Sequence, residues 1–260
     1  MKIFDSHCHL DDRSYDKDRK EVIQRAQKAG VVGIMIVGVD NGNSGKAVEL
    51  AESHAGCYAS VGVHPHDAKD CNENTLEKLQ KLAQNPNVRA WGETGLDFNR
   101  MYSPRPDQEK WFIRQLEIAR DLDLPLIFHE RDSNGRLFEL LKAHTRPGMM
   151  GVVHCFTGSL AELEHYLEHG LYIGITGILT IKTRGAELRN LVTRIPAERI
   201  LIETDAPYLT PAPEKNRTRR NEPAFVKSVL MKLADVRDEQ PEELAKITWE
   251  NTCRLYAIDA

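Results

Sequence analysis

A chain of 260 residues, 41% hydrophobic and 28% charged, has room for one large α/β domain or two small ones and the profile of an ordinary globular protein. Its 35 basic and 39 acidic residues leave a net charge of −4, which excludes a broad basic face for coating duplex DNA but allows a local basic pocket for a few phosphates. No apolar run reaches the ~18–20 residues of a membrane span, and the opening residues Met1 to His7 lack the apolar stretch of a signal peptide.

Short β-rich apolar runs alternate with helical stretches along the chain. Lys2–Asp5 predicts a first strand, followed by a helix near Tyr15–Ala29 that Gly30 stops. Val31–Val37 precedes a helix near Ser44–His54, Tyr58–Val63 one near Asn74–Gln84, and Val88–Trp91 one near Pro106–Leu122. Leu124–Phe128 leads to a helix near Ser133–His144, and Met150–Val153 to one near Ser159–Glu168. Leu171–Ile175 is followed by Gly185–Thr193, and Ile200–Glu203 by helices near Glu222–Val236 and Pro241–Ala257.

Eight strand–helix pairs without a linker or low-complexity segment predict an α/β fold, a (β/α)8 TIM barrel spanning 1–260 as a single domain. An open doubly wound sheet is less favoured, because no Gly-x-Gly-x-x-Gly turn follows the first strand. The five cysteines are widely spaced and form no Cys-x-x-Cys pair. They predict reduced thiols and a cytoplasmic location.

In such a barrel the reactive groups lie at the C-terminal ends of the strands. His7-Cys8-His9 closes the first one. Strand side chains alternate faces, so His7 and His9 point the same way and can share a cation; neutral imidazole suits Zn, Mn, Fe and Ni. Two polar residues in a surface turn would explain that pair equally well. Glu93, however, ends the fourth strand, His129 the fifth, His154 the sixth and Asp205 the eighth. Six ligand-type residues at one end of five strands point to a metal site. Glu93 is suited to bridge two cations, and Asp205 to accept the proton of a metal-activated water, so the expected chemistry is hydrolysis. Glu203, on the same strand face as Asp205, is either a supporting carboxylate or one that faces a helix.

His7-Cys8-His9-Leu10-Asp11, Gly62-Val63-His64-Pro65-His66, Gly92-Glu93-Thr94-Gly95-Leu96-Asp97, His154-Cys155-Phe156-Thr157-Gly158 and Glu203-Thr204-Asp205-Ala206-Pro207-Tyr208 resemble the TatD family of metal-dependent deoxyribonucleases. Arg220-Asn221-Glu222-Pro223 matches that family's motif near its last loop. The resemblance runs in order through nearly the whole chain and implies an amidohydrolase-type metal barrel. It implies two divalent ions, one at His7, His9, Glu93 and Asp205, the other at Glu93, His129 and His154. The donor set accepts Zn, Mn, Ni or Fe, and Mg can support a weaker, oxygen-rich site. The family associates His64-Pro65-His66 with substrate or catalysis, His66 being the nearer contact; a Pro-stiffened turn with two solvated imidazoles is the plain alternative. One departure is Glu130, where the family commonly has a small residue or Cys. Facing the site, it would alter metal preference; alternating outward, it would change little.

Lys182 and Arg184 follow the seventh strand, while Lys215, Arg217, Arg219 and Arg220 follow the eighth. Exposed cations are usually plain solvated surface, but guanidinium forks in these loops can also hold phosphates. Tyr208 and Phe98 can stack on a base or simply pack. The expected function is a deoxyribonuclease, an exonuclease on DNA with single-stranded ends, with Asp205, Glu93 and His66 catalytic. No membrane or obligate protein partner is expected. An alternative keeps the metals but hydrolyses a small amide or ester, or an aminoacyl ester on tRNA. A non-catalytic binding scaffold predicts missing ligands, and none of the six is missing.

Overall fold

Aliphatic and β-branched runs form the strands in the computed structural model, which describes residues 1–146 and 148–259. In chain order the elements are β1 (Ile3–Cys8), α1 (Arg19–Ala29), β2 (Val31–Val37), α2 (Asn41–Ser53), β3 (Cys57–Val61), α3 (Glu73–Leu82), β4 (Val88–Asp97), α4 (Arg105–Leu122) and β5 (Leu126–Arg131). They continue with α5 (Arg136–His144), β6 (Gly151–Val153), α6 (Leu160–Glu168), β7 (Tyr172–Ile175), α7 (Ala186–Leu191), β8 (Ile200–Ile202), α8 (Ala212–Lys215), α9 (Val226–Arg237) and α10 (Pro241–Leu255). The sheet order follows the chain order from β1 to β8, the topology of a (β/α)8 barrel. No helix among the described residues is long and apolar enough to cross a membrane. All five cysteines are free thiols.

Helix ends follow local chemistry. Gly30, at φ 94°, terminates α1 with its N–H on Ala26 and Gln27 carbonyls. Asp40 and Asn72 cap α2 and α3, and Ser159 with Glu162 forms a reciprocal capping box on α6.

The described residues group into two compact units. The first holds Met1–Ile36, Cys155–Thr157 and the chain from Ile173 onward. In it β7 pairs with β8, the segment after β8 meets β1 through the isolated Cys8–Ala206 bridge, and β1 pairs with β2. Ile3, Phe4, Met35, Ile36 and Leu201 are buried, as are Val229, Leu230 and Leu233 of α9 and Leu244 and Leu255 of α10. Each such side chain contributes roughly 1.5–3 kcal/mol by leaving water.

The second unit holds Val37–His154 and Gly158–Tyr172. Here β3, β4, β5 and β6 pair in that order, all parallel. Trp91, Phe112, Leu116, Phe128, Leu137 and Tyr166 are buried. Gln115 fastens α4 inside the unit: its Oε1 accepts from Trp91 Nε1 at 3.1 Å and its Nε2 donates to the Val63 carbonyl at 3.0 Å.

Boundaries shift where turn chemistry overrides periodicity. β4 runs on to Asp97 rather than stopping at Trp91. β5 begins at Leu126 rather than Leu124, because α4 ends on the left-handed Asp123 and Leu124-Pro125 complete that turn. The first helix starts at Arg19, not Tyr15, since Arg13–Tyr15 forms a 3-10 turn capped by Asp12. The helix placed at Glu222 starts at Val226, after a 3-10 turn opened by Pro223. Gly185–Thr193 contracts to α7, and α8 was not predicted.

Candidate metal centre

Each unit carries its own set of ligand-type residues where strands end. In the first unit, His7 lies in β1 and His9 just beyond it. Their Nε2 atoms are 3.4 Å apart. Asp205 Oδ1 is 3.4 Å from His9 Nε2 and 3.8 Å from His7 Nε2. The backbone enforces this grouping: Asp205 N–H donates to the His7 carbonyl at 3.0 Å, and His9 N–H to the Ala206 carbonyl at 2.7 Å. Below them, the Asp5 carboxylate takes the Thr204 N–H at 2.8 Å and hydroxyl at 2.6 Å. Burial drives the Asp5 carboxyl well above its ordinary range, against the opposite pull of the Thr204 bonds. Asn221 secures the following loop by donating to the Thr204 and Tyr208 carbonyls at 2.9 and 2.6 Å.

Glu203 also belongs to this unit. Its Oε1 accepts the Cys155 N–H at 2.6 Å, and a Cβ on Gly174 would come within 2.6 Å of its Oε2. Of the two readings of Glu203, the structure selects a buried carboxylate that holds Cys155, the residue after His154.

In the second unit, Glu93 of β4 is the hub. Its Oε1 is 2.7 Å from His129 Nδ1, 3.2 Å from His154 Nε2 and 3.5 Å from His64 Nε2. His154 directly follows β6, with its N–H on the Phe128 carbonyl at 3.0 Å. Gly95 allows β4 and β5 to approach here: at φ 148°, a Cβ would lie 2.0 Å from the His129 carbonyl oxygen. His64 Nδ1 accepts the His66 N–H at 3.1 Å, so the proton of neutral His64 sits on Nε2. Burial, and then the neighbouring His129, push His64 down to about 4. Its Nε2 is therefore a donor rather than a ligand in this arrangement.

Asp97, four residues beyond Glu93 on the same strand face, had no role in the sequence reading, although strand alternation from Glu93 would have marked it. It is fully buried. Its Oδ2 is 2.7 Å from His66 Nε2 and 3.4 Å from His129 Nε2, and its Oδ1 accepts the Asn99 and Arg100 N–H groups at 3.0 and 2.7 Å. Burial opposes ionisation of Asp97, but the contacts with His129 and His66 outweigh it and hold the carboxyl well below its usual range.

Both sets fit a divalent cation. Bonds of ~2.0–2.1 Å in a tetrahedral site put neighbouring ligand atoms roughly 3.3–3.4 Å apart, close to the 3.4–3.8 Å of the His7–His9–Asp205 set. Glu93, His129 and His154 offer ligand atoms that all lie within 4.8 Å of one another. His129 Nε2 is buried without a hydrogen bond, at only electrostatic distance from Asp97. A carboxylate ringed by imidazoles is costly to bury unless a cation or protons balance it.

Lys182 and Arg184 are exposed after β7, and so are Lys215, Arg217 and Arg219 after β8. Tyr208 is exposed, edge-on to His9 with ring centroids 5.9 Å apart. Arg220 grips Asp18 through both Nη atoms at 2.8 and 2.6 Å and donates to the Ser14 carbonyl, so its fork is occupied. Phe98 is half-buried beneath Arg105 at 4.3 Å. Glu130 accepts both the N–H and the hydroxyl of Ser133, and burial pushes it up to about 7.

Comparison with known proteins agrees with this picture. The family described as TatD related DNase matches residues 4–257. A 3'-5' ssDNA/RNA exonuclease TatD from Rahnella sp. (strain Y9602) is 44% identical over 261 residues, 99% of each chain. The protein of that name from Escherichia coli (strain K12) is 42% identical over 258 residues, 98% of this chain and 99% of that one. The crystal structure of YJJV, a TatD homolog from Escherichia coli K12, superposes with a TM-score of 0.91 at 32% identity, covering 99% of this chain and 98% of that one. The chain belongs to the TatD related DNase family.

Proposed function

We propose that this chain is a metal-dependent exonuclease that hydrolyses phosphodiester bonds at single-stranded DNA ends, with the 3'-5' polarity and the additional RNA substrate named for its relatives. The observation that carries the reading is the pair of ligand sets, His7–His9–Asp205 and Glu93–His129–His154, each gathered at strand ends in a chain of this family. Each set would hold one ion, Zn, Mn, Ni or Mg. A divalent cation supplies Lewis acidity to a phosphoryl oxygen and makes a neighbouring water a stronger acid.

The protein's own groups do the rest. Asp205 accepts the proton of the attacking water as the new P–O bond forms. His66, its Nε2 bonded to Asp97, presents Nδ1 to give a proton to the leaving oxygen as the old P–O bond breaks. Neutral His64 donates from Nε2. Lys182 and Arg184 contact backbone phosphates and Tyr208 a base. Arg220, held by Asp18, braces the last loop instead. We place the activity in the cytoplasm, in a single catalytic domain over 1–260, with no obligate protein partner.

The names of the relatives do not favour a small amide, small ester or aminoacyl-tRNA substrate. Parallel assays with end-labelled single- and double-stranded oligonucleotides and with ester and amide panels test the choice. Digestion from the 3' end of single strands supports the proposal; turnover confined to the esters or amides overturns it. His129→Ala and Asp205→Asn are expected to abolish digestion and leave the circular dichroism spectrum unchanged.

A further inference from the structure

The loop after β4 reads Phe98-Asn99-Arg100-Met101-Tyr102-Ser103-Pro104-Arg105, aromatics interleaved with cations. We propose that Tyr102 is the stacking platform for the terminal nucleobase of a single strand, with Arg100 beside it for a phosphate. This rests on the exonuclease reading above and adds a second base subsite to the one given there to Tyr208.

Three observations support it. First, Tyr102 is 56% exposed although it is a large ring in a well-folded loop. It stands edge-on to His66, with ring centroids 4.7 Å apart and planes at 63°, so it borders the residue assigned to the leaving oxygen. Second, the loop is pinned on both sides of the exposed run Arg100–Tyr102. Asp97 Oδ1 holds the Asn99 and Arg100 N–H groups, while Gln108 Nε2 donates to the carbonyls of Asp97 at 3.1 Å and Ser103 at 2.8 Å. Ser103 Oγ donates to the His66 carbonyl at 2.7 Å and accepts the Lys69 N–H at 3.0 Å. A ring offered on a rigid loop loses little freedom when a ligand covers it. Third, the other aromatic of the loop is already spoken for: Arg105 covers the Phe98 ring at 4.3 Å. Tyr102 is thus the ring in this loop left for a base, in the same edge-on relation to a histidine that Tyr208 has to His9.

A π-face stacks on any base, so the subsite would read the presence of a base rather than its identity. The ligand class is a single-stranded end carrying an unpaired base, DNA or RNA.

The test compares wild type, Tyr102→Ala and Tyr102→Phe on two labelled single strands that differ only at the 3'-terminal residue. One carries a base there and the other an abasic tetrahydrofuran. KM and kcat are measured with metal present, and equilibrium binding by fluorescence anisotropy on metal-stripped protein. Loss of one base–aromatic stack corresponds to roughly 5- to 150-fold in affinity. Tyr102→Ala should raise KM and Kd on the base-bearing strand by that factor, and Tyr102→Phe should restore wild-type values. On the abasic strand the alanine penalty should shrink to under about threefold. An equal penalty on both strands, or none on the base-bearing one, overturns the proposal. If wild type digests neither strand, the exonuclease reading fails, and the anisotropy comparison still decides for or against Tyr102.

Discussion

Asp97→Asn probes the site most sharply, because it changes one atom and one charge at a buried position. Asn keeps an oxygen for the Asn99 and Arg100 N–H groups, which Oδ1 now accepts at 3.0 and 2.7 Å, so the loop after β4 should hold. The amide nitrogen then occupies the Oδ2 position, 2.7 Å from His66 Nε2, and sets a donor against a donor. What is lost is one charge-assisted hydrogen bond that orients His66. Such bonds contribute about 1.5–3 kcal/mol, equivalent to a drop of roughly 10- to 150-fold in kcat/KM. The assay is digestion of an end-labelled single strand, with metal content and thermal midpoint measured on the same preparation. Kinetics within about threefold of wild type would refute the role given to Asp97. A loss of activity that merely tracked a loss of bound metal would show that Asp97 acts through the ligand set, not through His66.

Gly95→Ala puts a Cβ 2.0 Å from the His129 carbonyl oxygen at φ 148°, and should cost about 3 kcal/mol or more in chemical denaturation; a near-neutral effect would contradict the described approach of β4 and β5. Lys182→Ala with Arg184→Ala should raise KM and flatten the dependence of log KM on log salt by roughly one to two in slope, measured between low and physiological salt; an unchanged slope removes both from the phosphate contacts. Asp18 is held below its usual range by its hydrogen bonds from Arg220. The pair's stabilisation is therefore present above about pH 4 and is lost as pH falls through the depressed value. With both partners about a third exposed, it is worth at most about 1 kcal/mol. Asp18→Asn should lower the thermal midpoint at pH 7 by up to about 2–4 °C, with the gap closing in acid; a gap that widens in acid would contradict the sign.

Much of this was legible in residue order. The alternation of aliphatic runs and amphipathic helices located all eight strands, since burial on both faces leaves a continuous apolar signature. Strand-end His, Glu and Asp residues marked both candidate ligand sets, which the structure gathers as groups that could hold a metal, because strand geometry sends a residue at a strand's end to a definite place. What stayed hidden depended on partners distant in sequence. Arg220 read as a phosphate fork, but Asp18, some two hundred residues earlier, holds it. Asp97 was hidden by a strand placed too short: Gly92 and Gly95 look like strand breakers, yet they are what lets β4 continue past Glu93 alongside β5. Phe98 and Tyr102 are interchangeable as letters, and only the structure distinguishes them, through the cover of Phe98 by Arg105 and the exposure of Tyr102 beside His66.

The two candidate ligand sets should hold the ions that make this chain a nuclease. Elemental analysis combined with digestion of one end-labelled single-stranded oligonucleotide tests it directly, on the native protein, after chelation, and after reloading with a single metal. Digestion should vanish when the metal is removed and return on reloading, while His129→Ala fails to recover. Native-rate digestion by protein shown to be metal-free would mean that the chain cleaves without these ions.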